Sequence, residues 1–247
     1  MKFLDPEWHD KLSSTNTVLL DLLKNEETRP SPGFVLAALE QTAGHGRYNR
    51  HWISKAGRDL TFSFVISTRK DLEDLASLSQ AIALGTASAL DTFGILTQTK
   101  WPNDILVRGQ KIGGILSEQS EIRYEQGQAI VVGVGINVNM QDREEETLIK
   151  TATSLRIETG KKYAIKSVLD TLLEILPEWI NRWEVGGFPA IREDWIARCV
   201  SVGESVTVGD GLDRQTGTLA GFGEKGQLLL RVEDGVMREI WAADISR

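Results

Sequence analysis

The chain has 247 residues, of which 41% are hydrophobic and 26% are charged, and its formal net charge is −7 at pH 7. This length allows one well-buried core with a small appended domain. The negative net charge argues against an extended binding surface for a nucleic-acid backbone, so any anion-binding site must be local. No apolar run approaches the roughly 20 residues of a membrane span. The N-terminal segment MKFLDPEWHD lacks the basic and apolar regions typical of a signal peptide, so we expect none. The single cysteine, Cys199, suits the reducing cytoplasm.

The hydrophobic pattern predicts a mixed α/β body. Hydroxyl and amide side chains at residues 13–16 are natural N-caps for an amphipathic helix that ends before Gly33. Pro177 lies inside a later helical segment and should start, kink or divide it. The predicted elements that follow the first helix are strands Phe34–Leu39 and Leu60–Ile66, a long helix over 71–93, strands Ile105–Val107, Ile112–Leu116 and Ala129–Val138, and helices Lys166–Trp183 and Pro189–Cys199.

The character of the sequence changes from about Ser201. Short alternating segments are punctuated by glycines and Asp-Gly pairs, a pattern typical of a small all-β unit. We therefore predict a mixed α/β domain over residues 1–200 and a β module over 201–247. The predicted strands of the module are Ser205–Val208, Thr216–Phe222, Gln227–Val232 and Glu239–Trp241.

The segment from Gly44 to Arg50, GHGRYNR, is the first candidate for chemistry. Glycines let a backbone approach an anion, successive N–H groups can form an anion-binding nest, and arginine adds a planar fork of donors. The alternative is a solvated surface loop with incidental arginines.

A second candidate is the turn from Lys100 to Asp104, KWPND. Because Pro102 disfavours a helical conformation for Trp101, the lysine is expected to leave an extended segment and enter a turn. A lysine held in this way suits a carboxylate or a phosphate. The alternative is an aromatic anchor for a hairpin, with Lys100 exposed to water.

Paired glycines interrupt two apolar strands, in KIGGIL from Lys111 to Leu116 and in VVGVGIN from Val131 to Asn137. Glycine weakens a strand interior unless something must approach the backbone closely. A flat ligand lying on the sheet would explain both pairs, and bulges or tight helix packing would explain them equally well.

In this order, these segments resemble the biotin–protein ligase family. The chain carries Ser14-Thr15-Asn16 at its first helix, Gln41 before the loop from Gly44 to Arg50, the turn from Lys100 to Asp104, and the strand from Gly133 to Asn137. The resemblance covers nearly the whole chain, and the KWPND turn is its most specific element. It implies the mixed α/β fold of biotin and lipoate ligases with an SH3-like C-terminal β-barrel.

Two departures from the family pattern bear on function. His45 stands where an arginine is commonest, so one donor fork is missing from the loop. Family members that double as repressors carry an N-terminal helix-turn-helix domain of some sixty residues, for which we expect no room before Ser14. The resemblance therefore implies the form that only ligates.

The resemblance also implies a two-step reaction. Biotin and ATP form biotinyl-5′-AMP, and a lysine of a carrier protein then takes the biotin. Lys100 would hold the biotin carboxyl or the adenylate phosphate, Arg47 would neutralise phosphates, and Mg²⁺ would accompany ATP without a protein cage of ligands. Trp52 either anchors packing or forms a wall of the biotin pocket. The biotin site would comprise Ser14, Thr15, Asn16, Gln41, Gly44, His45, Gly46, Arg47, Trp52, Lys100 and Gly114, and the nucleotide site Arg47, Arg50, Asn103, Lys111 and Asn137.

Three rival functions remain beside this one. A lipoate or octanoate ligase shares the implied fold, but the chain has no Arg-Arg-x-Ser-Gly-Gly-Gly loop. A biotin sensor without turnover would fit His45, and a DNA-binding repressor conflicts with the net charge. The family's usual partner is the biotin carboxyl carrier protein of acetyl-CoA carboxylase, and both a monomer and a homodimer are compatible with the sequence.

Overall fold

A seven-stranded mixed sheet organises the first part of the chain. The computed structural model describes residues 1–141, 152–209 and 214–246. The strands are β1 (Glu7–Leu12), β2 (Val35–Gln41), β3 (Asp59–Thr68), β4 (Gln98–Lys100), β5 (Asp104–Val107), β6 (Gln110–Tyr124) and β7 (Gly127–Asn137). Their order in the sheet is β1-β2-β3-β7-β6-β5-β4. The β1–β2 pair is parallel and the other pairs are antiparallel, which confirms the predicted mixed α/β class.

Six α-helices accompany the two sheets in the described ranges. They are α1 (Thr15–Lys24), α2 (Leu72–Leu75), α3 (Leu78–Asp91), α4 (Leu155–Thr159), α5 (Ile165–Gly186) and α6 (Arg192–Arg198). None of the helices in these ranges has the length and apolar character needed to cross a membrane.

The alternation of side chains along β3 divides the sheet into two faces. Leu60, Phe62, Phe64 and Ile66 point into the large core formed with α3 and α5, as their spacing predicted. Val65, on the other face, packs with the buried residues of α1 in a second cluster. The site described below lies on the α1 face, where polar residues replace apolar ones along β3 and glycines replace them along β7.

The predicted helix over 71–93 is two helices. Ser77 separates α2 from α3: its Oγ donates to the Asp74 carbonyl at 2.8 Å and accepts from Trp183 Nε1 at 3.0 Å. Residue 77 is fully buried, so this hydroxyl takes part in packing against α5. Pro177 neither starts nor divides α5, which continues through it because residues such as Leu176 and Trp179 are buried on both sides of it.

The structure also contains elements that the sequence did not predict, namely β1, β4, α4 and a short last strand at Ile245–Ser246. The strand predicted over Ile112–Leu116 is much longer as β6, and the helix predicted over Pro189–Cys199 consists of a 3₁₀ turn at Phe188–Ala190 followed by α6.

The C-terminal segment forms a five-stranded antiparallel sheet, as expected for an SH3-like module. Its strands are β8 (Ser205–Val208), β9 (Gln215–Phe222), β10 (Leu228–Arg231), β11 (Met237–Ile240) and β12 (Ile245–Ser246), in the order β11-β10-β9-β8-β12. Apolar residues of this sheet belong to the same cluster as the main core. The domain boundary at residue 200 stays a prediction, because the core is continuous across it.

One turn of the module is inserted into the main body. The Gly226 carbonyl accepts hydrogen bonds from Gln80 Nε2 and from Trp101 Nε1, both at 3.1 Å. Gly226 has φ +84°, and a Cβ there would lie 2.1 Å from Gln80 Oε1. The turn therefore requires glycine both for its conformation and for space, and it fixes the module against the body.

Candidate active site

An open cavity of about 190 Å³ lies on the α1 face of the large sheet. The N-terminus of α1, the loop after β2 and the inner strands supply its walls, and one residue comes from the C-terminal module. The lining residues are Ser14, Thr15, Asn16, Gln41, His45, Gly46, Arg47, Arg50, His51, Trp52, Thr61, Phe62, Asn103, Asp104, Lys111, Gly114, Ile115, Leu116, Gly133, Val134, Gly135 and Asp244.

A hydrogen-bonded network fixes the polar side chains at the start of α1. Gln41 Oε1 accepts from the Thr15 amide at 2.7 Å and from Thr15 Oγ1 at 3.1 Å. The buried Ser63 hydroxyl lies 2.6 Å from Thr15 Oγ1 and 2.5 Å from Asn16 Oδ1. Asn16 Nδ2 donates to Glu118 Oε2 at 2.6 Å. Because each member is held by at least one other, the network presents donors and acceptors in fixed positions.

Ser14 occupies the N-cap position of α1, as predicted, but its side chain makes no capping hydrogen bond. It is buried and lines the cavity instead. The hydroxyl is thus directed to the site rather than to the helix terminus.

The glycine- and arginine-containing loop closes on itself as a small hairpin. The Trp52 amide donates to the Gly44 carbonyl at 2.9 Å, and the Gly46 amide donates to the Arg50 carbonyl at 2.7 Å. Since the Gly46 N–H is used within the loop, it does not form part of the anion-binding nest that the sequence suggested. The loop instead presents the guanidinium groups of Arg47 and Arg50 to the cavity.

Lys111, at the start of β6, is the lysine that lines the cavity. Its Nζ lies 2.6 Å from Asp104 Oδ1 and 5.9 Å from the centre of the Trp52 ring. The two partners of this ion pair are 38% and 25% exposed, so the ammonium is partly shielded from water. A compact cation held in this way can bind a carboxylate or a phosphate oxygen.

Lys100, the predicted catalytic lysine, does not lie in this cavity. It lines a second cavity of about 370 Å³ between the β4–β5 hairpin and the C-terminal module, together with Arg108 and Ile245. The KWPND motif does not show on which side of the hairpin Lys100 projects, and its catalytic role stays a prediction, whereas Lys111, predicted for the nucleotide site, lines the cavity.

Trp101, Asn103 and Asp104 of the KWPND turn make contacts that support the site. Trp101 is buried and binds the Gly226 carbonyl of the module. Asn103 Nδ2 donates to the Ile115 carbonyl at 2.6 Å, and the Ile115 amide donates to the Asn103 carbonyl at 3.0 Å. Asp104 holds the ammonium of Lys111. The turn therefore joins the C-terminal module, β6 and the cationic end of the cavity.

The glycines of β7 accommodate side chains of the site. A Cβ at Gly133 would lie 2.3 Å from Asn16 Oδ1, and a Cβ at Gly135 would lie 2.5 Å from the Trp52 ring. The close approach that the sequence predicted is therefore made by Asn16 and Trp52. Trp52 forms a wall of the cavity, and its indole Nε1 is buried without a hydrogen-bond partner in the described part of the chain.

Two further predicted residues lie beside the cavity and support it. Asn137 Nδ2 donates to the Thr153 carbonyl at 3.0 Å and to the Lys111 carbonyl at 3.4 Å, so it holds the backbone that carries Lys111. A Cβ at Gly44 would lie 2.6 Å from the Trp52 carbonyl and 2.8 Å from Gln41 Nε2, so glycine is required for the loop to pack there.

Comparison with known proteins agrees with this geometry. The model of the biotin/lipoate A/B protein ligase family matches residues 8–137. The bifunctional ligase/repressor BirA of Bacillus subtilis is 30% identical over 240 residues, which cover 96% of this chain and 72% of that protein. A biotin–[acetyl-CoA-carboxylase] ligase of Paracoccus denitrificans is 30% identical over 228 residues, covering 89% of this chain and 92% of that protein. This chain belongs to the biotin/lipoate A/B protein ligase family.

The ligase family is equally evident in three dimensions. The structure of biotin protein ligase from Aquifex aeolicus in complex with biotin and ATP has a TM-score of 0.82 to this chain at 32% identity, covering 99% of this chain and 98% of that one. The resemblance to biotin–protein ligases that the motifs predicted is therefore confirmed.

Several cavity residues of this family member were missed by sequence analysis. Thr61, Phe62, Val134, Ile115 and Leu116 belong to apolar or alternating strands and carry no distinctive local signal. Asp104 stands inside the quoted motif, and its pairing with a lysine seven positions later could have been considered. His51, which follows the loop directly, also lines the cavity. Asp244 could not have been found, because it is distant in sequence from every motif.

Proposed function

We propose that this chain is an ATP-dependent biotin–protein ligase. The observation that carries the proposal is that one cavity combines a fixed network of hydrogen-bonding side chains, including Thr15 and Asn16, with the cations of Arg47, Arg50 and Lys111. Such a site can bind one ligand that has a neutral polar head group and a carboxylate, and a second ligand that carries a polyphosphate. The ligase names of the relatives and the biotin and ATP complex of the solved neighbour support the same assignment.

Biotin binding is assigned to the network at the start of α1. The ureido ring of biotin offers N–H donors and a carbonyl acceptor, which would bind to the polar side chains of Ser14, Thr15, Asn16 and Gln41. The face of Trp52 would pack against the apolar part of the ligand. Preorganised partners reduce the entropic cost of holding the substrate in a reactive position.

In the first step, a carboxylate oxygen of biotin attacks the α-phosphorus of ATP, and pyrophosphate leaves. No protein nucleophile is needed, so the chain contributes positioning and electrostatic stabilisation. We assign to Lys111 the role that the sequence gave to Lys100, namely holding the carboxylate and the phosphate as charge develops. Arg47 and Arg50 would bind the phosphates through their guanidinium forks.

Magnesium is proposed to arrive with the ATP phosphates. Across residues 1–141, 152–209 and 214–246, no group of three or more His, Cys, Asp or Glu side chains is arranged to hold a metal ion. Mg²⁺ commonly retains several waters and binds through substrate phosphates, so these residues fit an ion carried by the nucleotide.

In the second step, the amine of a carrier lysine attacks the biotinyl carbonyl, loses a proton and displaces AMP. The proposed acceptor is the biotin carboxyl carrier protein of acetyl-CoA carboxylase, and the proposed compartment is the cytoplasm. The loop from Gly44 to Trp52 lines the cavity and would order over the adenylate, which would keep water from the mixed anhydride.

The proposal is tested by incubating the protein with biotin, Mg²⁺ and ATP and measuring pyrophosphate release, with lipoate and octanoate in parallel. We expect release with biotin, and biotin on the carrier lysine when carrier is added. Faster turnover with lipoate would assign the chain to the other branch of its family, and biotin binding without pyrophosphate release would show a sensor.

A further inference from the structure

A carboxylate of the C-terminal module occupies the arginine end of the cavity. Asp244, which immediately precedes β12, lines the cavity although it is 194 positions from Arg50. Arg50 Nη2 contacts Asp244 Oδ2, and Arg47 Nη1 lies 3.8 Å from Asp244 Oδ1 and donates to the Ala243 carbonyl at 3.2 Å. Both guanidinium groups are therefore engaged by the module.

The module holds this carboxylate in a defined position. The Asp244 carbonyl accepts from the Gly209 amide at 3.0 Å, which ties the residue to the end of β8. The module itself is fixed to the main body by the two hydrogen bonds to the Gly226 carbonyl, from Gln80 and Trp101. Asp244 thus faces the loop because of the way in which the module docks.

A carboxylate and a phosphate compete for the same donors of an arginine fork. A fixed negative charge in the same cavity also repels the phosphates of ATP. The side chains of Arg47, Arg50 and Asp244 are 22%, 66% and 35% exposed, so the pairs are partly solvated and can be broken by a stronger anion.

We propose that Asp244 is an internal competitor of the nucleotide phosphates. Without ATP it neutralises Arg47 and Arg50 and keeps the loop on the module, and ATP must displace it to bind. This inference rests on the proposed ligase function, and it gives the C-terminal module a direct part in setting nucleotide affinity.

The test is isothermal titration of Mg·ATP, and separately of pyrophosphate, into the wild-type chain and into Asp244→Asn and Asp244→Ser variants. Glu239→Gln is the matched control, because Glu239 is an exposed carboxylate on β11, at the opposite edge of the same sheet from β12. We expect both Asp244 variants to bind ATP about fivefold more tightly, the upper range for a partly exposed ion pair. Pyrophosphate affinity should shift in the same direction, and the control should match wild type.

Equal ATP affinities for wild type and both Asp244 variants would overturn the inference. Weaker binding by these variants would also overturn it, since it would show that Asp244 organises the arginines for the nucleotide. An equal gain in ATP affinity for Glu239→Gln would show that the effect comes from net charge alone, which would refute a specific competition by Asp244. Wild-type protein that binds neither ATP nor pyrophosphate would contradict the ligase proposal itself, which separates the two failures.

Discussion

The chain offers two lysines in adjacent β-hairpins, and replacing each by methionine separates catalysis from packing. Methionine keeps most of the length of the side chain and removes its charge. Lys111 lies in the cavity 2.6 Å from Asp104, whereas Lys100 lines a different cavity. We expect Lys111→Met to slow biotinyl-adenylate formation by roughly a hundred- to a thousandfold, since one preorganised contact to developing charge contributes about 2.7–4 kcal/mol.

The structural cost of this substitution should be small. The Lys111–Asp104 pair is partly exposed, so its loss should cost at most about 1 kcal/mol. In a chain of this length that corresponds to a decrease in Tm of about 2–4 °C. A thermal melt can therefore show that any large loss of rate is not a loss of folded protein.

The assay measures the single-turnover formation of biotinyl-5′-AMP from biotin and Mg·ATP, with pyrophosphate release as the readout. Lys100→Met is the matched control and should retain a rate close to that of the wild type. Full activity in Lys111→Met would refute the role of Lys111. Loss of activity in Lys100→Met with an unchanged melting curve would return the catalytic role to Lys100 and show that the cavity assignment is wrong.

Three further predictions follow from single residues. Arg47→Gly should release biotinyl-5′-AMP, measured as biotin on lysines of an added bystander protein; labelling confined to the carrier would contradict this. Gly226→Ala should destabilise the fold by about 1–3 kcal/mol through overpacking against Gln80, seen as a lower Tm than that of Gly235→Ala, where φ is also positive but no atom lies within 4 Å. Burial raises the pKa of the Cys199 thiol to about 12. The native state therefore keeps this proton at pH values where the unfolded chain loses it, so the free energy of unfolding should fall as pH rises above the usual thiol range. Equal rates of thiol modification in the native and the urea-unfolded protein at pH 8 would contradict that pKa.

The sheet faces and the motif positions could be predicted from the sequence because they depend on local patterns. Alternation along β3 placed Phe62 and Phe64 in the core, and the KWPND turn marked a site residue in Asn103. The side on which a hairpin residue projects depends on pairing with distant strands. For that reason the sequence could not show that Lys111 lines the cavity and Lys100 does not.

The prediction of one long helix over 71–93 was wrong for a related reason. The apolar pattern over 71–93 is continuous, whereas at the break between α2 and α3 the structure places a contact of Ser77 with Trp183, which is 106 positions away. The pairing of Arg50 with Asp244 spans an even longer separation. Contacts of this kind have no periodicity, so neither composition nor spacing can predict them.

His45 shows how such a contact changes the meaning of a sequence feature. From the sequence, the histidine is a weaker phosphate ligand than the arginine that it replaces. In the structure its Nε2 lies 3.5 Å from Glu118 Oε2, and Glu118 also accepts from Asn16 Nδ2 at 2.6 Å. His45 therefore connects the loop to β6, and the cations that line the same cavity are Arg47, Arg50 and Lys111.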